Sequence, residues 1–283
     1  LFFYFIKNFS LRIGENKMRN YKIPTLTIAG SDSSGGAGVQ ADLKTFSAIG
    51  TYGMSVITAI TAQNTQGVFL VEDLSKEIIE SQINVVFEDI EPAAVKIGMV
   101  SSPGIIHTIV NTLKKYNPKY LVVDPVMISK SGYSLLKPEA KKSLIEELIP
   151  MAYIITPNTP EAEEITGIEI NNVDDMREAG RKILEELGPK YVLMKGGHLE
   201  GDAVDVLIGN DTFEIYKQER LDRKNTHGTG CTLSSAITSH LALGYDIVEA
   251  VKLSKEYITE AIRHSFDIGK GVGPVNHFYK FED

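Results

Sequence analysis

Short apolar runs and amphipathic stretches take turns along most of this chain. "PTLTIAG" (24–30) is a β-rich run closing on glycine, and "AGVQADLKTFSAIG" (37–50) follows with apolar residues at helical spacing. "MSVITAITA" (54–62) is β-branched enough to predict a strand buried on both faces. "PAAVKIGMV", "KYLVVDPV", "AYIITPN" and "KYVLMKGG" repeat that form, each a compact apolar run ending in Gly, Asp, Asn or Lys. Between them "SKEIIESQINVVFEDI", "PGIIHTIVNTLKKY", "PEAKKSLIEELI" and "NVDDMREAGRKILEEL" are amphipathic at a period near 3.6 and predict helices. "AVDVLIG" and "TFEIYK" predict a late hairpin through "NDT".

This rhythm predicts an α/β fold, with helices on both faces of a mostly parallel sheet. No linker, repeat or composition break divides the chain, so residues 18–283 are expected to form one domain. Residues 1–17 read differently. "LFFYFIKNFSLRIGENKM" is too short an apolar run to span a bilayer and lacks the parts of a secretory signal. We expect Met18 to be the start and the leader to be translated upstream sequence, since Gly14-Glu15 can be encoded by a purine-rich ribosome-binding pattern.

Composition narrows the function. A net charge of −8 argues against a general nucleic-acid binder, which needs a basic face. One cysteine among 283 residues excludes an internal disulfide framework and fits a reducing, cytoplasmic setting. No segment predicts membrane insertion.

In open α/β sheets ligands collect beyond the carboxyl ends of the strands, so the polar residues after each apolar run are the first suspects. Gly36-Ala-Gly38-Val-Gln-Ala41 formally matches a dinucleotide fingerprint, but no acidic residue closes the next strand to hold a ribose. No P-loop pattern occurs. The glycines are either a flexible loop before a helix or a backbone-lined pocket that a small ligand approaches closely. Gln63 carries an amide suited to the edge of an aminopyrimidine, although a strand-end glutamine is more often a turn-stabilising residue. Asp124 and Glu161 put carboxylates at neighbouring strand ends, where they are either ligands for a hard cation such as Mg²⁺ or solvated helix caps. Lys195 ends a strand as a point charge suited to a phosphate oxygen, with His198 a loop residue beside it.

"HGTGCTLSS" (227–235) has the densest signal. Leu233, Ile237 and Leu241 recur every four residues, so a buried helix is predicted to start near Gly230. Amides bared by Gly228 and Gly230 would form an anion cradle, able to stabilise charge on a transferring phosphoryl group. The same field would favour thiolate at Cys231, since thiols at helix N-termini ionise below about 8.5. A small buried hydrophobe is the other reading of that cysteine.

Together, "TIAGSDSSGGAGVQADLKTFSAIGTYGMSVITAITAQNT", "VKIGMV", "VVDPVM", "ITPNTPEAEE", "LMKGGH", "KNTHGTGCTLSSAI" and "GKGVGPVNHF" resemble the ribokinase-like superfamily, specifically its hydroxymethylpyrimidine and phosphomethylpyrimidine kinases of thiamine synthesis. The resemblance spans residues 24–279 and implies a ribokinase-like three-layer α/β/α fold. It implies two ATP-dependent phosphorylations, of 4-amino-5-hydroxymethyl-2-methylpyrimidine and then of its monophosphate. Gly30, Gln63, Met99 and Val126 would line the pyrimidine pocket. Cys231 would be the base, with Gly228, Thr229 and Gly230 as anion hole. Asp124 and Glu161 would hold Mg²⁺, and Asn158, Lys195 and Thr229 would contact nucleotide phosphates. Many relatives carry aspartate at the cysteine position; thiolate there fits a pocket in which a permanent negative charge is unwelcome, because a phosphorylated substrate must dock in the second step. The resemblance further implies a homodimer. For adenine, residues 219–224 and 269–272 are candidates, and "ISKSGYSLLKP" (128–138) is a polar loop expected to act as a lid. A pyridoxal or pyridoxine kinase is the nearest rival, and a non-catalytic pyrimidine sensor is another; the retained Asp124, Glu161, Lys195 and Cys231 argue against the sensor.

Overall fold

The computed structural model describes residues 22–128, 132–133, 135–197, 199 and 201–282. The expected leader, Met18, His198 and part of the expected lid (129–131 and 134) lie outside the described residues. Nine strands form one sheet in the order β3-β2-β1-β4-β5-β6-β7-β8-β9. β1 (Pro24–Asp32), β2 (Tyr52–Asn64), β4 (Ala94–Ile97), β5 (Leu121–Val123), β6 (Ile154–Ile155) and β7 (Tyr191–Lys195) run parallel. β3 (Gly67–Asp73) and the β8 (Ala203–Gly209) and β9 (Thr212–Gln218) hairpin are antiparallel additions at the two edges. β1 has β2 on one side and β4 on the other, so the topological switch falls between β1 and β4, where ligand crevices form.

Side chains alternate between two cores, as the period of a strand requires. Leu26, Ile28, Val95, Ile97, Leu121, Val123 and Val192 face one layer of helices, α2 (Lys76–Asp89), α3 (Pro103–Tyr116), α4 (Ala140–Ser143), α5 (Thr159–Thr166) and α6 (Val173–Leu187). Val122, Ile154, Leu193 and Leu207 face α7 (Thr229–Ala242) and α8 (Ile247–Arg263). α1 (Gly38–Ile49) packs beside α7 on that second face, which completes the three layers.

Local sequence explains the helix ends. Ser75, Asn158, Asn172 and Asp246 each accept an amide of the first turn, and Gly50, Gly167 and Gly188 close helices in the left-handed conformation. Asn158 and Glu161 form a reciprocal capping box.

Three expectations need correction. β2 is buried on one face only: Ile60 is 51% exposed, because the strand runs on past the helices to pair with β3. β3 itself was not foreseen; "GVFLVED" alternates too weakly, with Phe69 and Leu70 exposed. The helix expected over 138–149 keeps only one regular turn before widening at Leu144–Leu148, where the Ile149 amide reaches back to the Leu144 carbonyl.

Candidate active site

The carboxyl ends of β1, β4, β5, β6 and β7 open into one cavity of about 1300 Å³. Single small-molecule sites usually occupy about 300–1,000 Å³, so there is room for a nucleotide and a small ring together. Gly30, Gly38, Gln63, Met99, Val126, Asp124, Asn158, Glu161, Lys195 and the 228–231 turn all line it.

Asp124 follows β5 directly and is 2% exposed. Its Oδ1 accepts from Lys195 Nζ at 2.9 Å and from Thr156 Oγ1 at 2.9 Å, while Ser234 Oγ lies 3.4 Å from Oδ2. Burial alone would raise its pKa, but the ammonium groups of Lys195 and Lys96 hold it below the usual carboxylate range. Glu161 shares Lys195 at 4.0 Å and spends one oxygen on the Asn158 amide. Burial pushes its carboxyl up to about 7; Lys195 opposes the shift and the Asp124 charge adds to it. Burial works against the Lys195 ammonium as well, yet the two carboxylates hold its pKa above normal. Two carboxylates thus share one lysine, leaving a surplus of negative charge that a hard cation would neutralise. Among the described residues no group of three His, Cys, Asp or Glu side chains forms a ready metal cage. The pair therefore fits Mg²⁺ only in the manner of nucleotide kinases, where the substrate and water supply most oxygens.

The turn expected to form the anion cradle stands at a helix start, with the Thr229 amide directed to the Thr226 carbonyl at 3.4 Å. α7 begins at Thr229 after Gly228, whose φ of 78° is left-handed and which packs so tightly on the Gly36 carbonyl that no side chain fits. Thr229 Oγ1 donates to the Thr226 carbonyl at 2.7 Å. An atom built at the Cβ position of Gly230 would lie 3.5 Å from both Asp124 Oδ2 and Lys195 Nζ, so the turn faces the charged pair. At Cys231 the surroundings oppose the thiolate reading. Burial pushes its thiol up to about 11; Lys96 pulls it down, Asp42 and Asp124 push it further up, and the Gly38 amide gives back a little. Desolvation and the two carboxylates thus outweigh Lys96 and hold the thiol above its ordinary value.

On the ring side, Gly30 faces Met99, whose sulfur would stand 2.9 Å from any added Cβ. The Gln63 backbone exchanges hydrogen bonds with Ser33 Oγ, the turn role read from the sequence, and its side-chain amide borders the cavity, 3.3 Å from His227 Nε2. Ile128, Leu135, Leu136, Lys137 and Pro138 of the expected lid line the same cavity. Of the two adenine candidates, the 219–224 stretch borders the cavity. The 269–272 stretch does not; Gly271 and Val272 donate instead to Thr65 in the β2–β3 turn.

Asp32 and His227 were missed. Asp32 Oδ1 accepts from the Ser34 amide and hydroxyl, and Oδ2 from the Gly36 and Ala37 amides. The same Oδ2 meets His227 Nε2 at 2.8 Å. One carboxylate therefore folds the glycine loop and ties it to the residue before the GTGC turn. Burial would raise the Asp32 pKa, but His227 and Ser34 lower it overall. The signal was present: Asp32 is the first charged residue after the first apolar run, the kind of position that picked out Asp124.

Comparison with known proteins agrees with this geometry. The sequence pattern of the phosphomethylpyrimidine kinase family matches residues 32–276. A hydroxymethylpyrimidine/phosphomethylpyrimidine kinase of Rhizobium meliloti is 49% identical over 259 residues, covering 90% of this chain and 97% of the relative. The thiamine biosynthesis bifunctional protein ThiED of Geobacter sulfurreducens is also 49% identical, over 91% of this chain, but the chain spans only 53% of that longer protein. The crystal structure of phosphomethylpyrimidine kinase (thiD) from Clostridium difficile 630 shares 76% identity and a TM-score of 0.78, covering 85% of this chain and 100% of that one. An ADP complex of Bacillus subtilis pyridoxal kinase shares 41% identity and a TM-score of 0.86, over 93% and 100% of the two chains. With its ribokinase-like sheet and a pattern match over nearly all of the described residues, the chain belongs to the phosphomethylpyrimidine kinase family.

Proposed function

We propose that this protein transfers the γ-phosphoryl group of ATP to the hydroxymethyl oxygen of 4-amino-5-hydroxymethyl-2-methylpyrimidine. It then phosphorylates the monophosphate to the diphosphate, within thiamine diphosphate biosynthesis. The observation that carries the reading is the convergence of ring-side, phosphate-side and cradle residues on one cavity at the switch point.

In-line phosphoryl transfer depends mainly on positioning and charge stabilisation. Gly30, Met99 and Val126 bound a slot for the ring, and the Gln63 amide meets its polar edge. The Gly228 and Gly230 amides would face the oxygens of the migrating phosphoryl group. Lys195 and the Asn158 side-chain NH₂ contact nucleotide phosphates, the Asn158 carbonyl being committed to its helix cap. Asp124 and Glu161 would hold Mg²⁺, which supplies charge neutralisation on the phosphates when bound. Cys231 accepts the proton of the attacking hydroxyl from its ionised fraction, which grows with pH. Apolar Leu233, Ile258 and Ile262, beside Leu221, form the cavity wall on which a nucleobase would lie.

Incubation with ATP–Mg²⁺ and the free pyrimidine alcohol, followed by chromatography, is expected to yield mono- and diphosphate. Absence of both products would end the reading. The likeness to pyridoxal kinase supports a second activity, so pyridoxal belongs in a parallel assay. Cys231→Ser is expected to collapse turnover while leaving pyrimidine binding intact; near-normal kcat would remove Cys231 from the mechanism. Among the described residues no helix is long and apolar enough to cross a membrane. We place the protein in the cytoplasm, as a homodimer whose mass light scattering would report.

A further inference from the structure

Strand β4 reads Ala-Val-Lys-Ile, and all four side chains are buried. Lys96 is the exception in chemistry, 0% exposed on the face toward α1 and α7. Its row across the sheet continues into Val122 and Ile154, where apolar contact is the rule. Its ammonium lies 2.8 and 3.0 Å from the two oxygens of Asp42, which is also 0% exposed. Asp42 in addition accepts from Thr27 Oγ1 and Ser235 Oγ, both at 2.6 Å. Taking such a pair out of water costs several kcal/mol per ion, and an apolar pair would join the layers as firmly. Stability alone does not account for it.

Its position does. Asp42 lies one helical turn beyond Gly38 on α1, and Ser235 one turn beyond Cys231 on α7. Ser235 donates to Asp42, so the two helices are joined one turn beyond Gly38 and Cys231. The ion pair therefore sits one helical turn from the position of the sulfur. Gly98 keeps space for the cation, since a Cβ there would come 2.5 Å from Lys96 Nζ.

We propose that Asp42 and Lys96 are positioning residues for phosphoryl transfer: Asp42 locks α1 against α7 one turn from Cys231, and Lys96 holds Asp42 there while fixing a positive charge in that layer. The proposal rests on the reading of Cys231 as base. In that step the hydroxyl proton moves to the sulfur while the oxygen bonds to phosphorus and ADP leaves. The charged groups acting on the sulfur are Lys96 from β4, Asp42 from α1, Asp124 beyond β5 and Lys195 at the end of β7. Lys96 heads those that lower its pKa.

The sole cysteine allows a direct test: the rate of iodoacetamide alkylation against pH, in the free full-length protein. In Lys96→Met the alkylation midpoint is expected to rise by about one pH unit, leaving about tenfold less thiolate at fixed pH. kcat should fall by about the same factor with the pyrimidine KM nearly constant. If the single variant does not fold, Lys96→Met/Asp42→Asn, which leaves no unpaired buried carboxylate, should show a smaller upward shift. An unchanged midpoint in a folded variant overturns the role of Lys96, because a merely structural pair would alter thermal stability and leave the profile alone. Retained turnover in Cys231→Ser overturns the underlying base assignment instead, so the two failures are distinguishable.

Discussion

Gly228→Ala tests the anion cradle most directly, because the structure leaves no room for even one methyl group. At φ 78° an L-residue carries a left-handed cost of about 1–2 kcal/mol. The larger difficulty is contact: the new Cβ would fall on the Gly36 carbonyl, a backbone atom that cannot swing aside. Gly36 is itself held by Asp32, and Asp32 by His227, next in the chain to Gly228. Relief therefore requires the glycine loop and the GTGC turn to separate as units. A shift of about 1 Å at a reacting centre costs roughly a hundredfold in rate. The left-handed strain by itself, up to about 2 kcal/mol, should lower Tm by about 4 °C or more, and the contact adds to that. ADP release measured by a coupled assay, with thermal melting of the same samples, reads both quantities. The expected result is kcat down roughly a hundredfold in a protein still folded at assay temperature. A variant with near-normal kcat and Tm would show that the turn is not packed as described and that its amides do not position the phosphoryl group.

Lys195→Met leaves Asp124 and Glu161 without their shared cation; the ATP KM should rise and turnover fall at least about tenfold, measured at saturating pyrimidine. Asp32→Ala removes acceptors for the Ser34, Gly36 and Ala37 amides, so the pyrimidine KM should rise about tenfold or more; calorimetric titration with the ring would expose an unchanged affinity. Burial holds His240 and His277 neutral, with pKa values pushed down to about 4. The unfolded chain protonates them near 6.5, so it binds more protons than the native state between pH 6.5 and 4, and stability should fall as pH drops through that window. Melting curves of His240→Asn and His277→Gln should show a flatter acid limb; an unchanged limb would refute the assignment.

The alternation of apolar runs and amphipathic stretches was enough to determine the layered α/β fold, because a strand buried on both faces and a helix buried on one leave different periods in the chain. The same pattern located the ligand edge, since strand ends in a parallel sheet share one side, and it picked out Asp124, Lys195 and the GTGC turn as residues there. β3 escaped notice because an exposed edge strand needs no strict pattern, and 269–272 was misplaced because nothing local to those residues identifies Thr65 as their partner. Ionisation belonged wholly to the tertiary structure. A helix N-terminus lowers a thiol pKa, yet Cys231 is raised, since desolvation and the carboxylates of α1 and β5 act across elements distant in sequence. The pairings of Asp32 with His227 and of Asp42 with Lys96 join residues 195 and 54 positions apart. Only the closing of the sheet between β1 and β4, with α1 and α7 laid over it, brings those charges within hydrogen-bonding distance.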